Sequence, residues 1–165
     1  MKKLLLTLVA LLILTCQSAF AANPYPATLD DGNLVFVDGF KGYGIYAVRS
    51  SVDVQNYNPP QYKIAINTIS VNVDTGQRGS VQTYYFRYNW DSKTVYYYSR
   101  QKDAWVMWDL NRIYGHADGA PLIPNLAEVA FVSAYNMKFY GDKQSYTYGS
   151  WQRVIPLSLY QALGI

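Results

Sequence analysis

The chain has 165 residues, 50% of them hydrophobic, with 14 basic and 11 acidic side chains. A chain of this length is expected to form a single domain with a sizeable core. Two basic residues, Lys2 and Lys3, belong to a predicted export signal, whose removal leaves a net charge of about +1. Overall charge therefore gives no reason to expect nucleic acid or a strongly acidic partner.

The N-terminal segment has the three parts of a secretory signal peptide. Lys2 and Lys3 form its positive start, residues 4–14 form an apolar run, and Ala19-Phe20-Ala21 fits an A-x-A cleavage site. We therefore predict that residues 1–21 are removed and that residues 22–165 remain as one domain. A protein processed in this way is exported to the periplasm, the cell surface or the medium.

The only cysteine, Cys16, lies inside this segment and raises the alternative of a lipoprotein signal. The residue before it is Thr15, whereas lipoprotein processing favours Gly, Ala or Ser at that position. Ordinary cleavage is the prediction, and the mature chain then has no cysteine for a disulfide, a metal site or a nucleophile.

The middle of the sequence reads as a series of short β-strands. The longest segment, residues 62–73, places Ile64 and Ile66 on one side and the apolar residues from Ile69 onward on the other. This change of side predicts a bulge, or a strand that bends across the fold, at Thr68–Ile69. The predicted strands are residues 34–37, 45–48, 62–73, 81–88, 94–99 and 104–109.

The connections between the later strands are short and rich in turn-forming residues. Residues 74–79 contain two glycines and an aspartate, and further turns follow at residues 89–93 and 100–103. Short connections join antiparallel neighbours, so residues 62–109 are predicted to form a β-meander.

A helix is predicted over about residues 125–140, where apolar side chains recur at helical spacing. Asn125 is a suitable N-cap, Glu128 follows as its capping-box partner, and Gly141 suits the C-terminal end. A helix this apolar should cover one face of the sheet, and a short helix is predicted at residues 159–163. The expected fold class is α+β, a single antiparallel sheet with one face covered by a helix.

Two short stretches resemble a known family. One is Trp151, followed by Pro156 and Ser158 before a short helix that contains Tyr160; the other is residues 46–52, Tyr-Ala-Val-Arg-Ser-Ser-Val. They resemble the small exported bacterial proteins grouped as surface-adhesin protein E-like. The resemblance implies a secreted antiparallel sheet packed with helices, and surface binding rather than catalysis.

The 17 tyrosines and four tryptophans allow two interpretations. Aromatic faces form ligand platforms and interfaces, but tyrosine is also a strong strand former that can bury its ring. Trp90, at a predicted hairpin turn, is the aromatic residue that core packing explains least well, although it can fold back on the sheet. Trp90, Tyr96 and Tyr98 are the candidate ligand-binding residues.

Catalysis has one candidate group, the only histidine, His116, with Asp118 nearby. A base–carboxylate pair can be drawn from them, so a small hydrolase using His116 is an alternative function. No serine stands in a nucleophile elbow, no glutamate pair suits glycoside hydrolysis, and no ligand spacing predicts a metal site. No cofactor is expected.

Together these features predict an exported, non-enzymatic envelope or secreted protein, a binding or adhesin-like module that uses its aromatic sheet or loops. The expected partner is an envelope, matrix or polysaccharide ligand, with no nucleic acid and no transmembrane segment after signal removal. A structural component of the envelope is a further alternative, in which the tyrosines only build the sheet.

Overall fold

The computed structural model describes residues 25–108, 122–147 and 149–165. Seven β-strands that follow one another along the chain pair in that same order into one antiparallel sheet. They are β1 (Thr28–Leu29), β2 (Leu34–Phe40), β3 (Tyr43–Asn58), β4 (Gln61–Asn72), β5 (Arg78–Asn89), β6 (Thr94–Ser99) and β7 (Ala104–Met107). Helix α1 (Leu122–Tyr135), a hairpin of β8 (Gln144–Thr147) and β9 (Ser150–Arg153), and helix α2 (Leu157–Leu163) complete the described part.

The prediction of an α+β fold built on an antiparallel sheet is confirmed. The meander is longer than predicted, because it begins at Thr28 and not at residue 62. Its last described strand ends at Met107, and residue 109 lies outside the described residues. The strands at residues 34–37 and 45–48, predicted as an opening pair, are parts of the longer β2 and β3 in this one sheet.

Short turns hold neighbouring strands together. Lys41 and Gly42, with φ of 49° and 81°, form the two-residue turn between β2 and β3. Positive φ at both positions gives the turn a twist that matches the twist of the paired strands. Pro59 and Pro60 form the two-residue connection between β3 and β4. Each strand is therefore brought next to the one that precedes it.

The main core lies between the sheet and α1. Tyr62 and Ile64 of β4 are buried there, and the Phe131 ring of α1 packs edge-on against Tyr62, with 5.3 Å between the ring centroids. Tyr88 of β5 packs against Phe131 at 5.1 Å. The Tyr88 hydroxyl donates a 2.9 Å hydrogen bond to the Ala127 carbonyl, so the ring is buried while its polar atom keeps a partner.

A second, smaller core lies on the opposite face of the sheet, where Leu34, Tyr46 and Val71 are buried. Tyr25, from the segment before β1, stacks on Phe36 at 5.1 Å and so covers this core. The sheet face that turns away from α1 is therefore packed around Leu34, Tyr46 and Val71 and uncovered in another part.

Strand β4 takes part in both cores, which explains its predicted change of side. Ile64 and Ile66 belong to the core under α1, whereas Ile69 and Val71 belong to the second core. The residues alternate regularly, and a different face is covered at each end of the strand. The register with β5 also shifts between Ile69 and Val71, next to the predicted position of a bulge.

Helix α1 begins at Leu122 and ends at Tyr135, so it lies earlier in the chain than the predicted residues 125–140. Pro124 is in its first turn, where a missing backbone N–H leaves no helical hydrogen bond unmade. Asn125 is therefore inside the helix and is not its N-cap. Its Nδ2 instead donates a 2.9 Å hydrogen bond to the Val37 carbonyl of β2.

The expected roles of Glu128 and Gly141 also differ. Asn136 adopts a φ of 53°, so the left-handed residue that ends the helix comes well before Gly141. Glu128 is fully buried and does not serve as a capping-box partner. It accepts hydrogen bonds from the Tyr160 hydroxyl of α2 at 2.7 Å and from the Tyr140 backbone N–H at 3.0 Å.

Candidate functional site

The sheet face that turns away from α1 carries a row of side chains across β3 to β7. Asn56, Lys63, Arg87, Tyr96 and Met107 are successive cross-strand partners, one from each strand. They point away from the main core because side chains alternate along a strand and their sequence neighbours face α1. The row spans about 19 Å, which is four strand spacings of roughly 4.8 Å.

Trp105 of β7 reaches over this row. The guanidinium carbon of Arg87 is 4.0 Å from the centre of its ring, and the Nζ of Lys63 is 5.9 Å from it. Tyr98, the cross-strand partner of Trp105, packs against it edge-on at 5.6 Å. The electron-rich ring face attracts both cations. We call Trp105, Arg87, Lys63, Tyr96 and Tyr98 the Trp105 face.

A concavity of about 770 Å³ opens beside Trp105. Small-molecule sites are typically about 300–1,000 Å³, so the space is sufficient for a ligand. Its lining combines aromatic rings, amides, hydroxyls and two cations, and includes no carboxylate of the described residues. Lys63, Arg87, Tyr96 and Trp105 of the Trp105 face line it, and so do Asn56, Gln61, Asn89, Ser92 and Thr94.

The Trp105 face is locally cationic. Lys63 and Arg87 are direct cross-strand partners, and like charges in this position repel each other. No carboxylate of residues 25–108, 122–147 or 149–165 forms an ion pair with either of them. The ion pairs found in those residues join Arg78 to Asp30 and Arg153 to Asp142, away from this face.

Tyr98 is held in place by the turn of its own hairpin. Its hydroxyl donates a hydrogen bond to the Asp103 carboxylate, and this bond is the main reason that the pKa of Tyr98 is raised. The bond ties the Tyr98 ring to the turn at residues 100–103, beside Trp105.

The structure brings two of the three predicted binding residues to this face. Tyr96 is 37% exposed within the row, and Tyr98 lies against Trp105. Trp90 lies on the other side of the sheet, where its ring stacks on Phe131 at 5.6 Å. Trp90 therefore folds back on the sheet and packs against the main core. This is the alternative to ligand binding that was expected for this residue.

The Trp105 face offers binding groups. Its cations donate hydrogen bonds, and its hydroxyls and the amides that line the concavity both donate and accept them. Among its described lining residues, none has an ordinary pKa near neutral pH. The alternative catalytic pair, His116 and Asp118, lies outside the described residues. The described part also contains no group of three or more His, Cys, Asp or Glu side chains that could hold a metal ion.

Three residues of this face, Trp105, Lys63 and Arg87, are not among the residues that the sequence pattern predicts. A signal for them does exist. The turn at residues 100–103 sets Trp105 opposite Tyr98, and Lys63 and Arg87 each stand between two core residues of their strand. The sequence pattern does not give the register between β4 and β5. That register places Lys63 directly opposite Arg87.

No protein-family model matches the chain, and no curated protein or solved structure matches it either. Among the described residues, no helix has the length and hydropathy needed to cross a membrane.

Proposed function

We propose that the protein is an exported, non-enzymatic binding protein of the cell envelope or the secreted fraction, and that its ligand binds on the Trp105 face. The observation that carries the proposal is the placement of Trp105, with Arg87 at 4.0 Å, beside a concavity of about 770 Å³. Tryptophan, tyrosine and arginine supply most of the energy at binding surfaces. The signal predicted at residues 1–21 and the resemblance to surface-adhesin protein E-like proteins favour the same function.

Exposure distinguishes this face from the aromatic residues of the main core. Tyr62 and Tyr88, under α1, are 9% and 1% exposed, whereas Tyr96 on the Trp105 face and its cross-strand partner Met107 are 37% and 50% exposed. Aromatic residues that serve only as scaffold are expected to bury their rings. The contrast supports binding over a purely structural role in the envelope.

Replacement of Trp105 tests the proposal. Trp105→Ala should weaken binding by about 5- to 150-fold, the equivalent of roughly 1–3 kcal/mol for the loss of an aromatic anchor. Binding would be measured against a panel of envelope polysaccharides and host matrix proteins. Trp151→Ala is the matched control and should leave the affinity unchanged, because Trp151 is 67% exposed on the separate β8–β9 hairpin.

Equal affinity of the parent and Trp105→Ala for every ligand that binds would contradict the proposal. Absence of any binding in the parent would favour the structural role. Hydrolysis of a substrate panel that His116→Ala abolishes and Trp105→Ala retains would favour the hydrolase.

A further inference from the structure

We infer that the ligand of the Trp105 face is an acidic polysaccharide, whose carboxylates bind at Lys63 and Arg87 while its sugar rings lie along the row of side chains across the sheet. The inference rests on the binding function proposed above and names its ligand class.

The two cations of the Trp105 face repel each other. Lys63 and Arg87 are directly opposite each other on β4 and β5, an arrangement that destabilises a sheet. The carboxylates of the described residues do not pair with either, and the Trp105 ring attracts each cation only weakly compared with a negative charge. An anion bound at both side chains would remove the repulsion, so the pair is complementary to a negatively charged ligand.

Arg87 lies against the ring of Trp105. Its guanidinium carbon is in van der Waals contact with the Trp105 ring, at 4.0 Å from the ring centre. A guanidinium over an aromatic face uses no hydrogen-bond donor in that contact, and its fork of N–H donors matches the two oxygens of a carboxylate. Contact with Trp105 therefore holds Arg87 on this face with its donors available to a carboxylate.

The row of side chains has a length and a chemistry that suit a polysaccharide. The side chains from Asn56 to Met107 cross five strands over about 19 Å, which suits a linear polymer lying across the strands. Gln61, Asn89 and Thr94 form a parallel row of amides and a hydroxyl beside it. Sugar hydroxyls both donate and accept hydrogen bonds, so these side chains can pair with them.

Nucleic acid is the other polyanion that aromatic and cationic groups bind. Its affinity grows with the number of phosphates that basic residues neutralise, and this face has two cations. The chain as a whole has a formal charge of only +3, of which two charges come from the predicted signal. The observations therefore favour a polymer that is held mainly by hydroxyl and ring contacts, with a carboxylate at one point.

The probes are polygalacturonate and its carboxyl-reduced form, in which the same chain carries neutral hydroxymethyl groups. Affinities for the mature protein would be measured by calorimetry, with single-stranded DNA of similar length as a third probe. We expect polygalacturonate to bind about tenfold or more tightly than the reduced polymer, as charge-assisted hydrogen bonds imply. Arg87→Gln and Lys63→Gln should each reduce this preference. Lys41→Gln, at the exposed turn between β2 and β3, should leave it unchanged.

Retained melting temperatures in the three variants would show that the changes in affinity are not due to unfolding. Equal binding of the two polymers, with loss of both in Trp105→Ala, would overturn the acidic ligand and leave the proposed binding function in place. The acidic ligand would also be overturned by tighter binding of DNA, or by an unchanged preference in Arg87→Gln. If none of these probes binds, and Trp105→Ala also changes no affinity in the wider panel, both the acidic ligand and the proposed binding function are overturned.

Discussion

Glu128 is a fully buried carboxyl group that joins three segments of the chain. It lies on α1 and accepts hydrogen bonds from Tyr160 of α2 and from the backbone of Tyr140. Burial has the largest effect on the pKa of Glu128 and raises it, although hydrogen bonds from Tyr160 and from the backbone of Tyr140 and Phe139, and the nearby Lys93, act in the opposite direction. The protonation of this one residue is therefore linked to the stability of the fold.

The pH dependence of this link has a defined sign. Because its pKa is raised, Glu128 binds its proton more tightly in the folded than in the unfolded chain. Its contribution to the free energy of unfolding is fully present below the ordinary pKa of 4.5 and is lost as the pH rises through the raised value. We expect urea unfolding of the parent to show this loss over that range, relative to Glu128→Gln, which cannot titrate. A difference between the two proteins that does not change with pH would contradict the assignment.

Removal of the Glu128 side chain should have a different effect. In Glu128→Gln the amide can donate to the Tyr160 hydroxyl, which lies 3.2 Å from the Gly141 carbonyl and can donate to it in turn. Glu128→Ala leaves Tyr160 and the Tyr140 N–H without this partner and creates a cavity. It should lower the free energy of unfolding by about 2–4 kcal/mol, measured by urea denaturation. An alanine variant as stable as the glutamine variant would show that these bonds contribute little.

Two tryptophans with opposite roles allow a direct comparison. Trp90 stacks on Phe131 at 5.6 Å and packs edge-on against Phe139 at 5.8 Å, so Trp90→Ala should lower the free energy of unfolding by roughly 2–4 kcal/mol. Its effect on ligand affinity should stay within about threefold, under 1 kcal/mol. Trp105→Ala should show the reverse pattern, with about 1 kcal/mol or less in stability and a large loss of affinity. Thermal unfolding would measure the stability of both variants and calorimetry their affinity. A larger loss of affinity in Trp90→Ala than in Trp105→Ala would contradict these roles.

At the scale of elements, α1 is the cover of the main core. Its residues from Leu126 to Val132 are all buried, so the helix contacts the structure around most of its circumference. Phe131, which the helical spacing places at the edge of the apolar stripe, is 0% exposed and lies among the aromatic rings of β4 and β5. Stability should therefore depend strongly on apolar contacts of this helix.

A charged side chain at Val129 tests this dependence. Val129 is 0% exposed, and Val129→Asp would bury a carboxylate without a partner, which should lower the free energy of unfolding by about 3–5 kcal/mol. The control is Val81→Asp, the same change at a valine that is 57% exposed, where about 1 kcal/mol or less is expected. Similar urea midpoints for the two variants would show that α1 does not cover the core.

The sequence predicts the place of β2 to β7 but not the full length of β3, and it predicts the helix ends less well, for physical reasons. Turn residues mark the strand ends locally, so β6 has the predicted bounds of residues 94–99. The ends of α1 depend on tertiary contacts: Asn125 has the side chain of an N-cap, but β2 supplies its partner, the Val37 carbonyl. The Trp105 face depends on the register of four strands, and a single sequence does not contain that information in any local pattern.

At the scale of the whole molecule, the low net charge expected for residues 22–165 does not indicate the local positive charge at Lys63 and Arg87. Lys63 and Arg87 lie together, while Arg78 and Arg153 are paired with carboxylates elsewhere. Overall composition therefore gives no indication of an acidic partner, although the surface provides a place for one.

Processing of the N-terminus is the prediction that concerns the whole chain. The cleavage site at Ala19-Phe20-Ala21 implies a mature protein that begins at Ala22 or Asn23 and carries no lipid. Its N-terminal sequence and mass, determined on protein from an exporting host, check this directly. A lipid on Cys16 would instead make the protein membrane-anchored.

The order of the strands has a consequence for how the chain reaches its fold. In the meander each strand pairs with the one before it, so these contacts form between near neighbours in sequence and can form early. The cover of its apolar face, α1, comes only after all seven strands. A chain that folds from its N-terminus therefore completes a sheet on which Ile64 and Phe86 still face water until residue 135 has followed. During that interval the protein is prone to aggregate, and it is then that a chaperone would be needed.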